Sequence, residues 1–594
     1  MNKILEYPFD NDLILRKKRS IKRQLLEESK PKMLKRIAIL GGSSTQDIKE
    51  ILELFLLNYG IEPIFYESEY AKYWEDIMFE NKVLEDFSPD IIYIHTSNRN
   101  IDVFPSMRDD EKTVNELLES TYVHYEMLWK KIKEIYNCVI IQNNFELPHY
   151  RLLGNRDVVD YRGRSNFINR LNEKFSRFAS ENEGMYINDI CWLSASYGLQ
   201  KWQDAFSWHM YKYSLAVSAI PELAYNISNI IKSIYGKNKK ALVLDLDNTL
   251  WGGVVGDDGP ENIEIGQETS LGQVYSEFQQ YLKAHKELGI MLNVNSKNEK
   301  ENAISGLNRP GNVLTPDDFI LIKANWNPKN SNIIDISEEL NIGTDSLVFV
   351  DDNPAEREIV RTSISDVAVP EVNNPENYIN ILDRAGYFEV TNFSEDDLQR
   401  NAMYKANIKR KKEKANFIDY NDYLKSLEMN AEIKPFDDIY YQRIAQLTNK
   451  TNQFNLTTKR CSLDEIKDIA LNNSYIALYG KLEDKFGDNG VVSVVFGHQE
   501  KEAFYIDLWL MSCRVLKRNM EFAMMDELID CCKKRSINKV YGYYYPTKKN
   551  SMVREFYALH GFSKISEDET GNSKWVLEDV DAYIYKNNVI KVGK

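Results

Sequence analysis

The chain has 594 residues, with 75 Lys+Arg against 90 Asp+Glu and a formal charge of −15. At roughly 150 residues per domain this length implies about three or four domains rather than one core, and 43% hydrophobic against 28% charged residues excludes wholesale disorder. The acidic balance and the lack of a long lysine-rich block exclude nucleic acid as the main partner.

No run of about 18 apolar residues occurs, and the first residues lack the apolar stretch of a signal peptide, so the expectation is a cytoplasmic protein with no membrane partner. Cys138, Cys191, Cys461, Cys513, Cys531 and Cys532 have no CxxC spacing and are expected as reduced thiols.

Residues 1–35 read as a helical N-terminal extension, charged over 16–35 and broken at Pro31. The apolar run that follows ends in Gly41-Gly42-Ser43-Ser44 and predicts a buried strand closed by a turn. Strands over 61–66, 90–95 and 138–142 alternate with helical patterns, which predicts a helix-covered parallel sheet over 36–235. A polar, lysine-rich stretch at 236–240 marks a boundary, and a second alternation over 239–387 has strands at 241–246, 289–294, 319–322 and 346–350. Residues 388–430 form a helical connector whose charged part, 396–414, predicts a solvated helix. From 431 to 594 shorter strands and a helix over 520–532 predict an α+β domain. The run from Tyr541 to Tyr545 reads as a strand with aromatic faces rather than a base-stacking platform, and His95 and His149 are too isolated to suggest a metal site. The fold class is therefore multidomain α/β.

The chemistry concentrates in the middle domain. Asp245 and Asp247 follow a buried strand, where α/β sheets bind ligands. Three further elements follow at strand ends or helix starts: Ser296 with Asn298, Lys329, and the pair Asp351 and Asp352. Together they fit phosphoryl transfer. Asp245 is the candidate nucleophile, forming an aspartyl-phosphate, and Asp247 the group that protonates the leaving oxygen and later activates water. Ser296 and Lys329 are placed to hold phosphate oxygens. Mg²⁺ prefers a few oxygen ligands plus waters, which Asp245, the carbonyl of Asp247, Asp351 and Asp352 supply.

These four motifs resemble those of the haloacid-dehalogenase superfamily. The longer phrases that begin at Leu246, Asp351, Asn449, Phe486 and Trp509 resemble the FkbH-like family over roughly residues 239–562. That resemblance implies a Rossmann-like phosphatase domain that dephosphorylates a phosphorylated three-carbon donor such as 1,3-bisphosphoglycerate. The glyceryl unit is then loaded on the phosphopantetheine thiol of an acyl carrier protein, in polyketide or mixed assembly lines. Thr249, Asn298, Asn353, Arg357 and Arg514 become candidate substrate-binding residues. Typical members carry a cysteine just before the motif serine; here that position is Asn295, which is no nucleophile for an acyl phosphate, and Cys513 is the candidate substitute. Asn327 and Pro328 stand where acidic residues are expected before Lys329.

The C-terminal domain resembles the GNAT acetyltransferases, with Lys517 and Asn519 where glycines would let backbone approach a pyrophosphate, so docking of a pantetheine arm is favoured over acetyl transfer. The N-terminal domain resembles the flavodoxin-like SGNH hydrolases, which implies Ser43 as nucleophile, Asn98 as oxyanion donor and His209 as base. Phe206 occupies the position three before that histidine where an aspartate is expected. The competing reading is a Mg²⁺-dependent phosphatase acting on a sugar- or lipid-linked phosphate, without thioester transfer; a non-enzymatic scaffold fits the four intact motifs least.

Overall fold

The computed structural model describes residues 2–27, 32–393, 395–547 and 549–593, without the side chains of residues 395 and 396. The break expected at Pro31 lies outside them. The chain divides into two compact units, Met1–Lys237 with Glu389–Thr391, and Asn238–Phe388 with Asn392–Lys594.

In the first unit β1 (Met33–Gly41), β2 (Ile61–Glu67), β3 (Ile91–His95), β4 (Val139–Asn143) and β5 (Met185–Asn188) form an all-parallel sheet ordered β2-β1-β3-β4-β5. Helices cover both faces, which is why Ile37, Ala38, Ile39 and Leu40 are all inaccessible in one unbroken apolar run. Ile37 and Ile39 pack with the helices Gln46–Asn58 and Ile220–Ile234, while Ala38 and Leu40 pack with Glu111–Tyr136 and Arg164–Glu181. The strand order reverses between β1 and β3, which opens a crevice after Gly41 and His95. The helix Asn11–Glu27, expected as an extension, belongs to this core. Ile14, Ile21 and Leu25 form a narrow helical stripe whose signal the surrounding charges obscure.

The second unit opens with β6 (Ala241–Leu244), β7 (Met291–Ser296), β8 (Leu321–Ala324) and β9 (Leu347–Val350), parallel and ordered β8-β7-β6-β9. Every residue of β6 and β9 is buried, as expected of central strands sandwiched by helices. The same unit carries a mixed sheet built from β10 (Asn430–Pro435), β11 (Phe454–Asn455), β12 (Tyr475–Asp484), β13 (Gly487–Glu500), β14 (Ala503–Met511), β15 (Lys539–Tyr544), β16 (Ser563–Glu567), β17 (Ser573–Leu577) and β18 (Lys591–Gly593). Its order is β16-β17-β15-β14-β13-β12-β10-β18, with β11 against β14. The tyrosine run lies in strand β15 as far as Tyr544, the strand expected from its aromatic residues.

One expectation is corrected. The helix Arg400–Lys414 is not solvated throughout: Met403 and Tyr404 are buried, and Arg410 donates to both oxygens of Asp484 at 2.7 and 2.6 Å. Arg518 adds a contact at 3.1 Å, and all three side chains are buried. The partner of Arg410 lies 74 residues away, so the local charge pattern carried no sign of it.

Candidate active site

Asp245 follows β6 and its amide donates to Val350 O at 3.0 Å, which ties it to the end of β9. Lys329 begins the helix Lys329–Leu340 and is 3% exposed; its Nζ lies 2.9 Å from Asp245 and also pairs with Asp351. Burial pulls the Lys329 ammonium down, but Asp245 and Asp351 outweigh it and hold it above the ordinary lysine value. Burial, and then the charge of Asp245, push the Asp351 and Asp352 carboxyls up. Oxygens of Asp245, Asp351 and Asp352 all lie within 4.8 Å of one another, and Asp245 Oδ1 is buried with no hydrogen-bond partner. An orphaned buried oxygen facing two more carboxylates is the environment a hard divalent cation requires.

The Asp247 side chain does not join that cluster. Its Oδ1 accepts from Trp251 Nε1 and Val255 N, each at 3.0 Å, and its Oδ2 accepts from Asn298 Nδ2 at 2.9 Å. Burial raises its pKa above the ordinary aspartate value. The turn between is pinned by Asn248, at φ +52, whose carbonyl accepts from Tyr275 and Tyr378 hydroxyls at 3.1 and 3.2 Å. Those two tyrosines were absent from the sequence reading because they come from distant helices.

The four residues of this domain expected to bind substrate also bond to the protein around them. Arg357 is 2% exposed and donates to the main-chain oxygens of Asp351, Asp352 and Val372 at 2.8, 2.7 and 2.9 Å. Thr249 Oγ1 accepts from Asp352 N at 3.2 Å, and Asn353 caps the helix Pro354–Ser363 through Ala355 N at 2.9 Å. Asn298 is spent on Asp247. Ser296 ends β7, buried, beside Asn295, which turns to the protein: its amide donates to Lys329 O at 2.9 Å and its oxygen accepts from Asn332 at 3.0 Å. Trp326, three residues before Lys329, is 68% exposed, its indole donating to Glu299 at 2.7 Å; a large apolar side chain left in solvent beside a motif lysine is the sequence signal for it.

The Ser43 and His209 constellation is not assembled. Among the described residues no hydrogen bond joins the two; His209 is exposed on the helix Ala205–Tyr211, and Ser43, 2% exposed, lies 3.1 Å from Ser214 Oγ. His95 Nε2 is 3.1 Å from the same Ser214 oxygen. His95 Nδ1 lies 3.0 Å from the Asn143 amide nitrogen and 2.9 Å from the Tyr93 hydroxyl, so neutral buried groups rather than a carboxylate orient the ring. Burial pulls the His95 pKa down to about 4, which keeps the ring neutral. Asn98, the expected oxyanion donor, gives its amide to the carbonyl of Glu146 at 3.2 Å.

Cys513 is also relocated. Its carbonyl accepts from Asn341 Nδ2 at 2.9 Å, and Asn341 caps the far end of the helix that begins with Lys329. That helix has 12 residues and so spans about 18 Å, which separates Cys513 and Arg514 from the Asp245 crevice. Arg514 accordingly donates to Ser512 Oγ at 3.2 Å rather than facing the phosphate site. In the mixed sheet β14 and β15 pair only over residues 503–505 and 539–541 before they part. The gap is filled: β11 pairs with Leu510 and Met511, Leu456 N donates to Trp509 O at 3.0 Å, and Leu456 O accepts from Tyr545 N at 2.8 Å. An extended ligand adding to either strand would find these backbone groups already used. Lys517 and Asn519 adopt φ +65 and +63, a glycine-like loop with side chains where a pyrophosphate would approach.

The FkbH N-terminal domain family matches residues 36–232, which gives the first unit a place in FkbH proteins and not only a likeness to hydrolases. The N-terminal part of protein BF1531 from Bacteroides fragilis, which contains a phosphatase domain and was crystallised with Mg, is 30% identical to this chain. The likeness covers 63% of this chain and 99% of that one, at a TM-score of 0.58. The chain belongs to the FkbH-like family. Its Asp245 crevice lies in the haloacid-dehalogenase-type phosphatase domain, and its C-terminal domain is GNAT-like by its strand order, with the parallel β14 and β15 pair diverging. The ribosomal-protein-S18-alanine N-acetyltransferase from Escherichia coli is similar to 25% of the FkbH-like chain and over 90% of its own length, at 10% identity and a TM-score of 0.20. Among curated proteins none matches.

Proposed function

We propose that this FkbH-like chain is a Mg²⁺-dependent phosphatase that acts on a phosphorylated three-carbon acyl donor, 1,3-bisphosphoglycerate-like, and loads the glyceryl unit on the phosphopantetheine thiol of an acyl carrier protein. The carrying observation is the convergence of Asp245, Lys329, Asp351 and Asp352 at the carboxyl ends of two adjacent parallel strands, with Asp245 Oδ1 left without a partner. Asp245, Asp351 and Asp352 would hold Mg²⁺, with the Asp247 carbonyl. Bound there, the ion supplies charge neutralisation for the transferring phosphoryl oxygens. Asp245 attacks phosphorus; the bond from phosphorus to the leaving oxygen breaks, and Asp247 protonates that oxygen. Water then opens the aspartyl-phosphate, giving its proton back to Asp247. Lys329 and Ser296 hold the equatorial oxygens. The phosphate removed at Asp245 is the ester, which leaves the acyl phosphate intact; in the loading step the carrier thiol, deprotonated to water, attacks the acyl carbon, the bond from that carbon to the anhydride oxygen breaks, and inorganic phosphate leaves.

A second reading is favoured by Asn295: the chain releases phosphate from a sugar- or lipid-linked substrate and forms no thioester. Purified protein with Mg²⁺ and 1,3-bisphosphoglycerate, assayed for phosphate and for carrier mass, separates the two. Phosphate release that Asp245→Asn lowers about a thousandfold or more, with a three-carbon adduct on the carrier, is the expected result. Release without an adduct on any cognate carrier favours the second reading, and undiminished release by Asp245→Asn sinks both.

A further inference from the structure

A second cavity, about 370 Å³ in volume, lies at the opposite edge of the phosphatase sheet. Lys240, directly before β6, lines it, whereas Asp245 directly follows β6; the four residues of the strand, five residue steps, separate them by about 16 Å. The residues before β9 and the Cys513 loop complete the wall. Among the described residues the lining carries six cations, Lys240, Arg400, Arg443, Lys450, Arg514 and Lys549, against the carboxylates of Asp345 and Asp397. Asp345 pairs with Lys549, and Asp397 pairs with Arg400 and lies 3.8 Å from Lys450. Burial, and then the charges of Arg400, Arg443, Lys240 and Arg514, drive the Lys450 ammonium well below its ordinary value. Lys240 is pushed the same way, first by burial. Converging guanidinium and ammonium groups in a small, partly desolvated cavity match the geometry and charge of phosphate oxygens.

We propose that this cavity is an anion site, distinct from the metal-assisted crevice, that binds the phosphate group of a small phosphate ester or a pyrophosphate beside Cys513. The inference is independent of the acyl chemistry proposed above. It uses no metal, since the lining is cationic, and it uses the Cys513 thiol only as a neighbour.

The full chain, freed of divalent metal with EDTA, is titrated calorimetrically with pyrophosphate and, separately, with orthophosphate. Without metal the carboxylates of the phosphatase crevice repel either ligand. One equivalent of pyrophosphate per chain is expected, Lys450→Met weakening it about tenfold, the effect of losing one charge-assisted contact. Metal-loaded Lys450→Met is expected to release phosphate from substrate at the unaltered rate. Tighter binding of orthophosphate than pyrophosphate assigns the cavity to a single phosphate group. As a readout independent of any variant's folding, alkylation of Cys513 by iodoacetamide is followed in the unsubstituted protein, where bound pyrophosphate is expected to slow it several-fold. Absence of saturable binding overturns the proposal, as does binding that leaves Cys513 alkylation unchanged.

Discussion

Asn295 shows how one side chain changes the reading of a motif. It stands where the family resemblance implies a cysteine, yet it faces the protein, bridging Lys329 O and Asn332 across to the helix that begins with Lys329. Asn295→Cys removes an amide that serves both partners in a fully buried place, so a loss of about 1–3 kcal/mol is expected, together with slower phosphate release from a looser Lys329. A melting temperature equal to that of the unchanged protein would show that the bridge is dispensable. Glu146 supplies a pH signature of the first unit. Burial pushes its carboxyl from 4.5 to about 8. Between those values the folded state holds a proton that the unfolded state has lost, so stability falls as pH rises through that window. His95 acts with the opposite sign, losing stability as pH falls from 6.5 towards 4, so melts between pH 6.5 and 8 isolate Glu146. Glu146→Gln is expected to flatten the slope there; an unaltered slope means that the carboxyl titrates normally.

Among the elements, β6 and β9 were legible because each is a short, wholly apolar run followed directly by its polar residues, the pattern of buried parallel strands, whereas β7 carries Asn293 and Asn295 within the run. The connector helix was misread because its stabilisation is long-range. Asp484 accepts from Arg410 and Arg518 with no exposure of its own side chain. Asp484→Asn leaves two buried guanidiniums facing a neutral amide, and a loss of about 3–5 kcal/mol is expected, as for other broken buried pairs. Chemical denaturation of the two proteins side by side reads this directly; a loss under about 1 kcal/mol would mean that water or another acceptor replaces the carboxylate. The β14 and β15 gap makes the same point for a sheet. Parallel pairing over three residues and then divergence invites a ligand, but β11 and Leu456 occupy the divergence.

Across the molecule, division into two units means that a ligand held by one stabilises that one. Mg²⁺ is expected to raise the unfolding transition of the second unit and to leave the first in place. The shift corresponds to about 2.7 kcal/mol at a hundredfold excess over Kd, and EDTA reverses it. Calorimetry that finds both transitions moved together, or neither, would contradict a metal site confined to Asp245, Asp351 and Asp352.

Local pattern was enough to name the α/β class, because strand burial is written within a few consecutive positions. The direction in which each side chain points was not. Arg357, Thr249, Asn298 and Asn353 belong to the motif stretches yet bond to the protein around them, and it is His95, not the His209 implied by the hydrolase resemblance, that meets Ser214 beside Ser43. Cys513 sits at the far end of the helix from Lys329 for the same reason: its neighbours Asn341 and Lys240 are 172 and 273 residues away in the chain. Partners at such separations meet through packing of whole elements, which no window of sequence records.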